Sequence, residues 1–160
     1  MRAFVGFDFP LQLKNQLSSI QALLKQNTEK GSWVRTQNYH LTLKFLGEID
    51  EKQVDSIGYI LKELSLRHRP ITVNLHKLGY FNKKSNEYGV LWLGLDGEIE
   101  KINSIYMELE QKMHHIGFEK EIRKFSPHIT LGRRIKTQLD FENLKEIVEP
   151  YLNIEFTLSN

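Results

Sequence analysis

The chain contains no cysteine. That excludes disulfides, thiolate nucleophiles and cysteine-ligated zinc, and it suits a reducing compartment. Long apolar runs are missing too. Nothing approaches the roughly 18 residues of a membrane span, and Asp8 and Pro10 interrupt the N-terminal stretch where a signal peptide needs its apolar region. The expectation is a cytoplasmic, monomeric protein with no membrane partner. Charge of one sign is equally scarce: 22 Lys and Arg against 20 Asp and Glu leave a net +2. Affinity for anions must therefore come from local clusters such as Arg123-Lys124, or Arg133-Arg134 with Lys136. No H-E-x-x-H word or carboxylate cluster occurs, so neither a metal nor another cofactor is expected.

What is present is internal similarity. Residues 3–8 read AFVGFD and residues 91–96 read LWLGLD, both apolar strand-like runs ending in Gly-x-Asp. Further on, HLTLKFLG (40–47) is echoed by HITLGR (128–133). From Asp8 to His40 and from Asp96 to His128 the chain advances by the same 32 positions. A single offset of 88 thus superposes Gly6 on Gly94, Asp8 on Asp96, His40 on His128 and Thr42 on Thr130. The repeats cover about 2–47 and 90–134.

Between the paired words each half carries a helical stripe: Leu13, Leu17, Ile20 and Leu24 in one, Ile102, Ile105, Leu109, Met113 and Ile116 in the other. Such stripes read as core-facing surface. Further helices are expected over 51–66, with Asp50 and Gln53 as a capping box, and over about 138–149. Residues 71–77 and the tail NIEFTLSN alternate as strands, and LGYFNKKSNEYG reads as a loop between the halves. A length of 160 residues with 40% hydrophobic and 26% charged residues suits one globular unit. The expected architecture is a single α+β domain over 1–160. It is bilobal and pseudo-two-fold, each lobe an antiparallel sheet with helices outside and a groove between.

In a strand, residues i and i+2 share a face. His40 and Thr42 therefore point one way and Leu41, Leu43 and Phe45 point into the core; His128 and Thr130 stand likewise against Ile129 and Leu131. Across a pseudo-two-fold groove, two imidazoles and two hydroxyls would converge. Imidazole suits proton transfer in either direction near neutral pH. One could take a proton from water while the other gives one to a departing oxygen, with the threonines donating to phosphoryl oxygens. By symmetry the two histidines are interchangeable in these roles. A lone H-x-T is more often a half-exposed histidine beside a β-favouring threonine; two copies at matched repeat positions shift the balance to function. His68, His76, His114 and His115 lack such a partner and read as structural or solvated.

These residues, with RAFVGFDFP at the start and VLWLGLD in the middle, resemble the two-histidine phosphoesterase superfamily. Within it they are most similar to the bacterial and archaeal RNA 2′,3′-cyclic phosphodiesterases, historically called 2′-5′ RNA ligases. The FLG after the first motif and the arginine five positions after the second histidine narrow the resemblance to that branch. It implies metal-independent hydrolysis of a terminal 2′,3′-cyclic phosphate to a 2′-phosphate, on RNA ends or nucleoside 2′,3′-cyclic phosphates. His40 would be proton donor, His128 proton acceptor, Thr42 and Thr130 phosphoryl ligands, and Arg133 a two-pronged phosphate clamp. Lys44 is a weaker candidate on the His40 face, or simply solvated. The family continues beyond the position of EFTLSN with a further segment and a final strand, which implies an uncovered sheet edge here.

Two alternatives stand beside this reading. One keeps the site but changes the substrate, to 2′-5′ ligation or another 2′-5′ phosphodiesterase activity. The other is an RNA-end-binding module without turnover, in which Tyr39, Phe45 and Tyr88 stack bases.

Overall fold

The computed structural model describes residues 1–159 and contains four α-helices and seven strands. In chain order these are β1 (Arg2–Asp8), α1 (Leu11–Lys25), β2 (Lys30–Trp33), β3 (His40–Glu48), α2 (Glu51–Arg67), β4 (Ile71–Lys84), β5 (Glu87–Gly97), α3 (Ile99–His115), β6 (His128–Lys136), α4 (Phe141–Val148) and β7 (Glu155–Leu158). Every pairing is antiparallel. The offset of 88 carries the bounds of β3 onto those of β6 and the start of α1 onto that of α3.

The helices form where their stripes require. Leu13, Leu17, Ile20 and Leu24 are all buried on α1, and Ile102, Ile105, Leu109 and Met113 on α3; Ile116 lies past the end of α3 and is exposed. Asp50 and Gln53 close a reciprocal box at the start of α2, each accepting the other's backbone N–H at 2.8 and 2.9 Å. Asp140 caps α4 through the Asn143 amide.

The two sheets are unequal. One is the pair β1-β3; the other has five strands in the order β2-β6-β5-β4-β7. Two features depart from the sequence reading. Residues 78–89 are not a loop: β4 runs on to Lys84, and only Ser85 and Asn86 turn the chain into β5. The turn needs a left-handed residue, and Ser85 supplies one at φ 55°. The short strand β2 along β6 carries no alternation in its sequence, KGSW.

The helices are exchanged between the halves. Although α1 follows β1, it packs on α4, and its Gln21 amide donates to the Leu131 carbonyl of β6 at 3.0 Å. Conversely, α3 follows β5 but packs on α2, and its Glu110 reaches Lys44 of β3. One continuous apolar core results, from Val5 to Leu158. Among the described residues β1 has a hydrogen-bonded neighbour only on its β3 side. Its other edge opens on a cavity of about 880 Å³ bounded by α2, α3 and β7, with Phe7, Leu61, Ile105 and Leu158 on its walls. That cavity includes neither His40 nor His128.

Candidate active site

His40 and His128 open β3 and β6, and each is half-buried with an apolar, fully buried neighbour following it. The two strands belong to different sheets, yet they approach to Cα separations within 8 Å across the interface between the halves. Both imidazoles are held in the same way. His40 Nδ1 lies 2.6 Å from the Asn38 carbonyl and His128 Nδ1 lies 2.8 Å from the Ser126 carbonyl. Asn38 and Ser126 are themselves 88 apart. A carbonyl only accepts, so Nδ1 carries the hydrogen in both rings and Nε2 is the nitrogen left for chemistry. His40 Nε2 sits 2.8 Å from the Thr42 hydroxyl, which puts both predicted groups of the first motif in one small volume. Thr130 shares the His128 face two residues on, as expected.

Electrostatically the two histidines differ. Burial pushes the His128 imidazole below its usual range, and the Arg133 charge pushes it the same way, while the Ser126 carbonyl opposes them. Phe81 and Trp92 pack beside it, with ring centroids 5.2 and 5.8 Å away. Trp92 lies flat over Gly79 of β4, where a Cβ would fall 2.2 Å from the indole; only glycine lets the ring sit there. Around His40 the neighbours are of another kind. Asp8 pairs with it directly across the β1-β3 ladder. The Asp8 carboxyl is held below the ordinary carboxylate range, first by Lys14, next by the Phe9 amide, and in small part by His40.

A matched irregularity explains the next residues. In β3 the register passes from Thr42 to Lys44 with Leu43 as an extra residue, and in β6 it passes from Thr130 to Gly132 with Leu131 extra. These bulges reverse the alternation beyond them. Arg133, an odd number of positions after His128, would face the core of a regular strand. The bulge instead leaves it exposed and on the side where its charge acts on His128. Its counterpart at the same offset is Phe45, predicted to point inward and in fact 70% exposed. Phe45 lies beside Phe4, whose ring stacks on His40 at 4.3 Å. Phe4 was not singled out by the sequence; its place opposite Phe45 in the ladder is a matter of register alone.

The same bulge corrects the reading of Lys44. It is neither solvated nor on the His40 face: it is buried, and its amine donates to Glu110 at 2.6 Å and to the Glu119 carbonyl at 2.8 Å. Glu110 in turn accepts the Glu121 amide. Of the three aromatics proposed to stack bases, Tyr39 and Tyr88 are buried and only Phe45 is available. His68 bonds Glu108 and His114 lies near the Phe118 carbonyl, in keeping with structural roles. Among the described residues no group of three His, Asp or Glu side chains is placed to hold a metal, and no helix is long and apolar enough to cross a membrane.

Comparison with known proteins gives a consistent set of matches. The family model described as LigT like Phosphoesterase matches residues 8–92 and 93–159. An RNA 2′,3′-cyclic phosphodiesterase of Methanocaldococcus jannaschii is 33% identical over 156 residues, covering 98% of this chain and 84% of the relative. One from Thermotoga maritima is 35% identical over 133 residues, covering 83% of this chain and 70% of the relative. Among solved structures, the TT0787 protein of Thermus thermophilus superposes with a TM-score of 0.76 at 21% identity, covering 99% of this chain and 84% of the other. Escherichia coli LigT complexed with 3′-AMP does so with a TM-score of 0.72 at 23% identity, covering 98% and 83%.

Proposed function

Because the chain belongs to the LigT-like phosphoesterase family, we propose that it hydrolyses 2′,3′-cyclic phosphates, on RNA ends or nucleotides, to 2′-phosphates by metal-independent acid/base catalysis. The observation that carries this reading is the pair of imidazoles with Nδ1 tied to a backbone carbonyl and Nε2 presented for reaction. His128, held neutral by burial and by Arg133, takes a proton from water at Nε2 as the water oxygen bonds to phosphorus. The bond from phosphorus to the 3′ oxygen breaks, and that oxygen receives the Nε2 proton of the His40 imidazolium. The product is a 2′-phosphate and a free 3′-hydroxyl. Burial and Arg133 favour the neutral base at His128, so the surroundings support the acceptor role for one of two rings that the repeat makes alike.

Thr42 and Thr130 donate to the non-bridging oxygens, where charge grows in the transition state. Arg133 presents its fork to two of those oxygens. Phe4 and Phe45 offer an exposed aromatic shelf on the His40 side, suited to stacking a nucleobase.

Incubating the purified protein with a 2′,3′-cyclic nucleotide in the presence of chelator tests the reading. The expected result is a 2′-phosphomonoester; absence of product from folded protein would refute it. His40→Ala or His128→Ala should each lower the rate by about 10²–10⁴. The double variant should lose little more, since the two act on one event. A panel that includes 2′-5′ linked dinucleotides separates the cyclic phosphate from other substrates of the same site.

A further inference from the structure

The repeat makes β3 and β6 alike but does not make their approaches alike. The chain reaches His40 through a 3-10 turn, Thr36–Asn38, whose last carbonyl accepts from His40 Nδ1. Helix α1 grips this turn at two points one helical turn apart. Lys14 Nζ donates to the Gln37 carbonyl at 2.8 Å, and the Ser18 hydroxyl lies 2.5 Å from that of Thr36. The same Lys14 amine is 2.8 Å from Asp8, whose carboxylate also takes the Phe9 amide. Lys14 thus joins the end of β1, the start of α1 and the turn that orients the imidazole. It is only 11% exposed although it contacts an exposed carboxylate.

The other half repeats only the carboxylate: Asp96, at the offset of 88 from Asp8, accepts the Gly97 amide at 2.8 Å as Asp8 accepts that of Phe9. The positions 88 beyond Lys14, Ser18 and Gln37 are Ile102, Tyr106 and Phe125, and there the approach to His128 carries the Tyr106 and Phe125 rings, stacked at 4.1 Å. One histidine is placed by an ionic clamp and the other by aromatic packing.

We propose that Lys14, acting with Asp8 and through the Thr36–Asn38 turn, is a positioning residue for His40. It holds the Asn38 carbonyl where it keeps the proton on Nδ1, so that Nε2 is the site that gives up a proton and remains bare afterwards. This rests on His40 acting as the proton donor.

The test is Lys14→Met, isosteric along the stem but unable to donate. Hydrolysis of a 2′,3′-cyclic nucleotide should show kcat lowered about 10–100-fold with KM changed little, since the loss is of orientation rather than binding. Nitrogen-15 spectra of the His40 imidazole supply a readout independent of turnover. The wild-type ring should show the Nδ1–H form when neutral, and K14M should shift toward Nε2–H. Lys14→Arg, which can still donate to both the carboxylate and the carbonyl, should recover most of both properties. If K14M fails to fold, Asp8→Asn, which keeps an acceptor for the Phe9 amide, carries the same expectation. Unchanged kcat and an unchanged His40 tautomer in the folded variant would overturn the proposal. Failure of wild-type turnover with a normal tautomer shift in K14M would instead refute the proton-donor reading and leave the clamp standing.

Discussion

At the scale of residues, the distinction between His40 and His128 comes from what stands next to each ring. In its proposed role as base, His128 must be neutral to accept a proton. Its depressed pKa therefore places the acid limb of kcat/KM below the 6.5 of an ordinary imidazole. Arg133 contributes to that depression by disfavouring a second positive charge. Replacing it with Ala should lower the rate through loss of the proposed phosphate clamp and also move the acid limb to higher pH. Burial, the larger cause, remains, so the limb should stay below the unperturbed value. A pH-rate profile with a proton NMR titration of His128 checks the direction; a limb that moves down in pH contradicts it. The histidines and threonines were legible in the sequence because a two-residue spacing in a strand fixes a shared face. The stacking of Phe4 on His40 was not, because it depends on which residues of β1 and β3 face each other.

At the scale of elements, the two bulges decide what the strands present. Alternation alone sends Phe45 and Arg133 into the core and Lys44 into the groove. The extra residue just after each H-x-T word, Leu43 in β3 and Leu131 in β6, inverts those assignments, and neither residue type announces it. The hairpin of β4 and β5 escaped for a related reason: NKKSNE has the composition of a loop, but its residues pair across a two-residue turn. Where periodicity was long and regular, as on α1 and α3, the sequence reading and the fold coincide. The bulge in β3 also buries Lys44 against Glu110. Lys44→Met leaves that carboxylate buried without its partner, at a cost of about 3–5 kcal/mol. Pairing it with Glu110→Leu should restore most of the loss. Urea denaturation of the two variants measures this, and equal stabilities would show that the pair contributes no coupling.

At the scale of the whole molecule, the halves of the repeat are interleaved rather than side by side. In the larger sheet β2 and β4, from before the Ser85-Asn86 turn, are interspersed among β6, β5 and β7 from after it. The helices cross over in both directions. A chain cut between residues 85 and 86 should therefore yield two fragments that show no cooperative unfolding alone. Mixed, they should regain a folded far-UV spectrum and hydrolytic activity. Cooperative melting of the 86–160 fragment by itself would contradict the interleaving argument.

The exchanged helices also bear on how such a molecule can arise. A half-length chain with one H-x-T strand would expose the apolar face that its own helix does not cover. It could bury that face only by trading helices with a second copy, and the two histidines of the proposed site would then come from different chains. Joining the copies turns a concentration-dependent encounter into an intramolecular one. It also releases the copies from identity, so that Lys14 and Ser18 can accumulate on the approach to one ring and Tyr106 and Phe125 on the approach to the other. In a symmetric pair only the bound substrate can tell acid from base; in a fused one the residues around each histidine can do so beforehand.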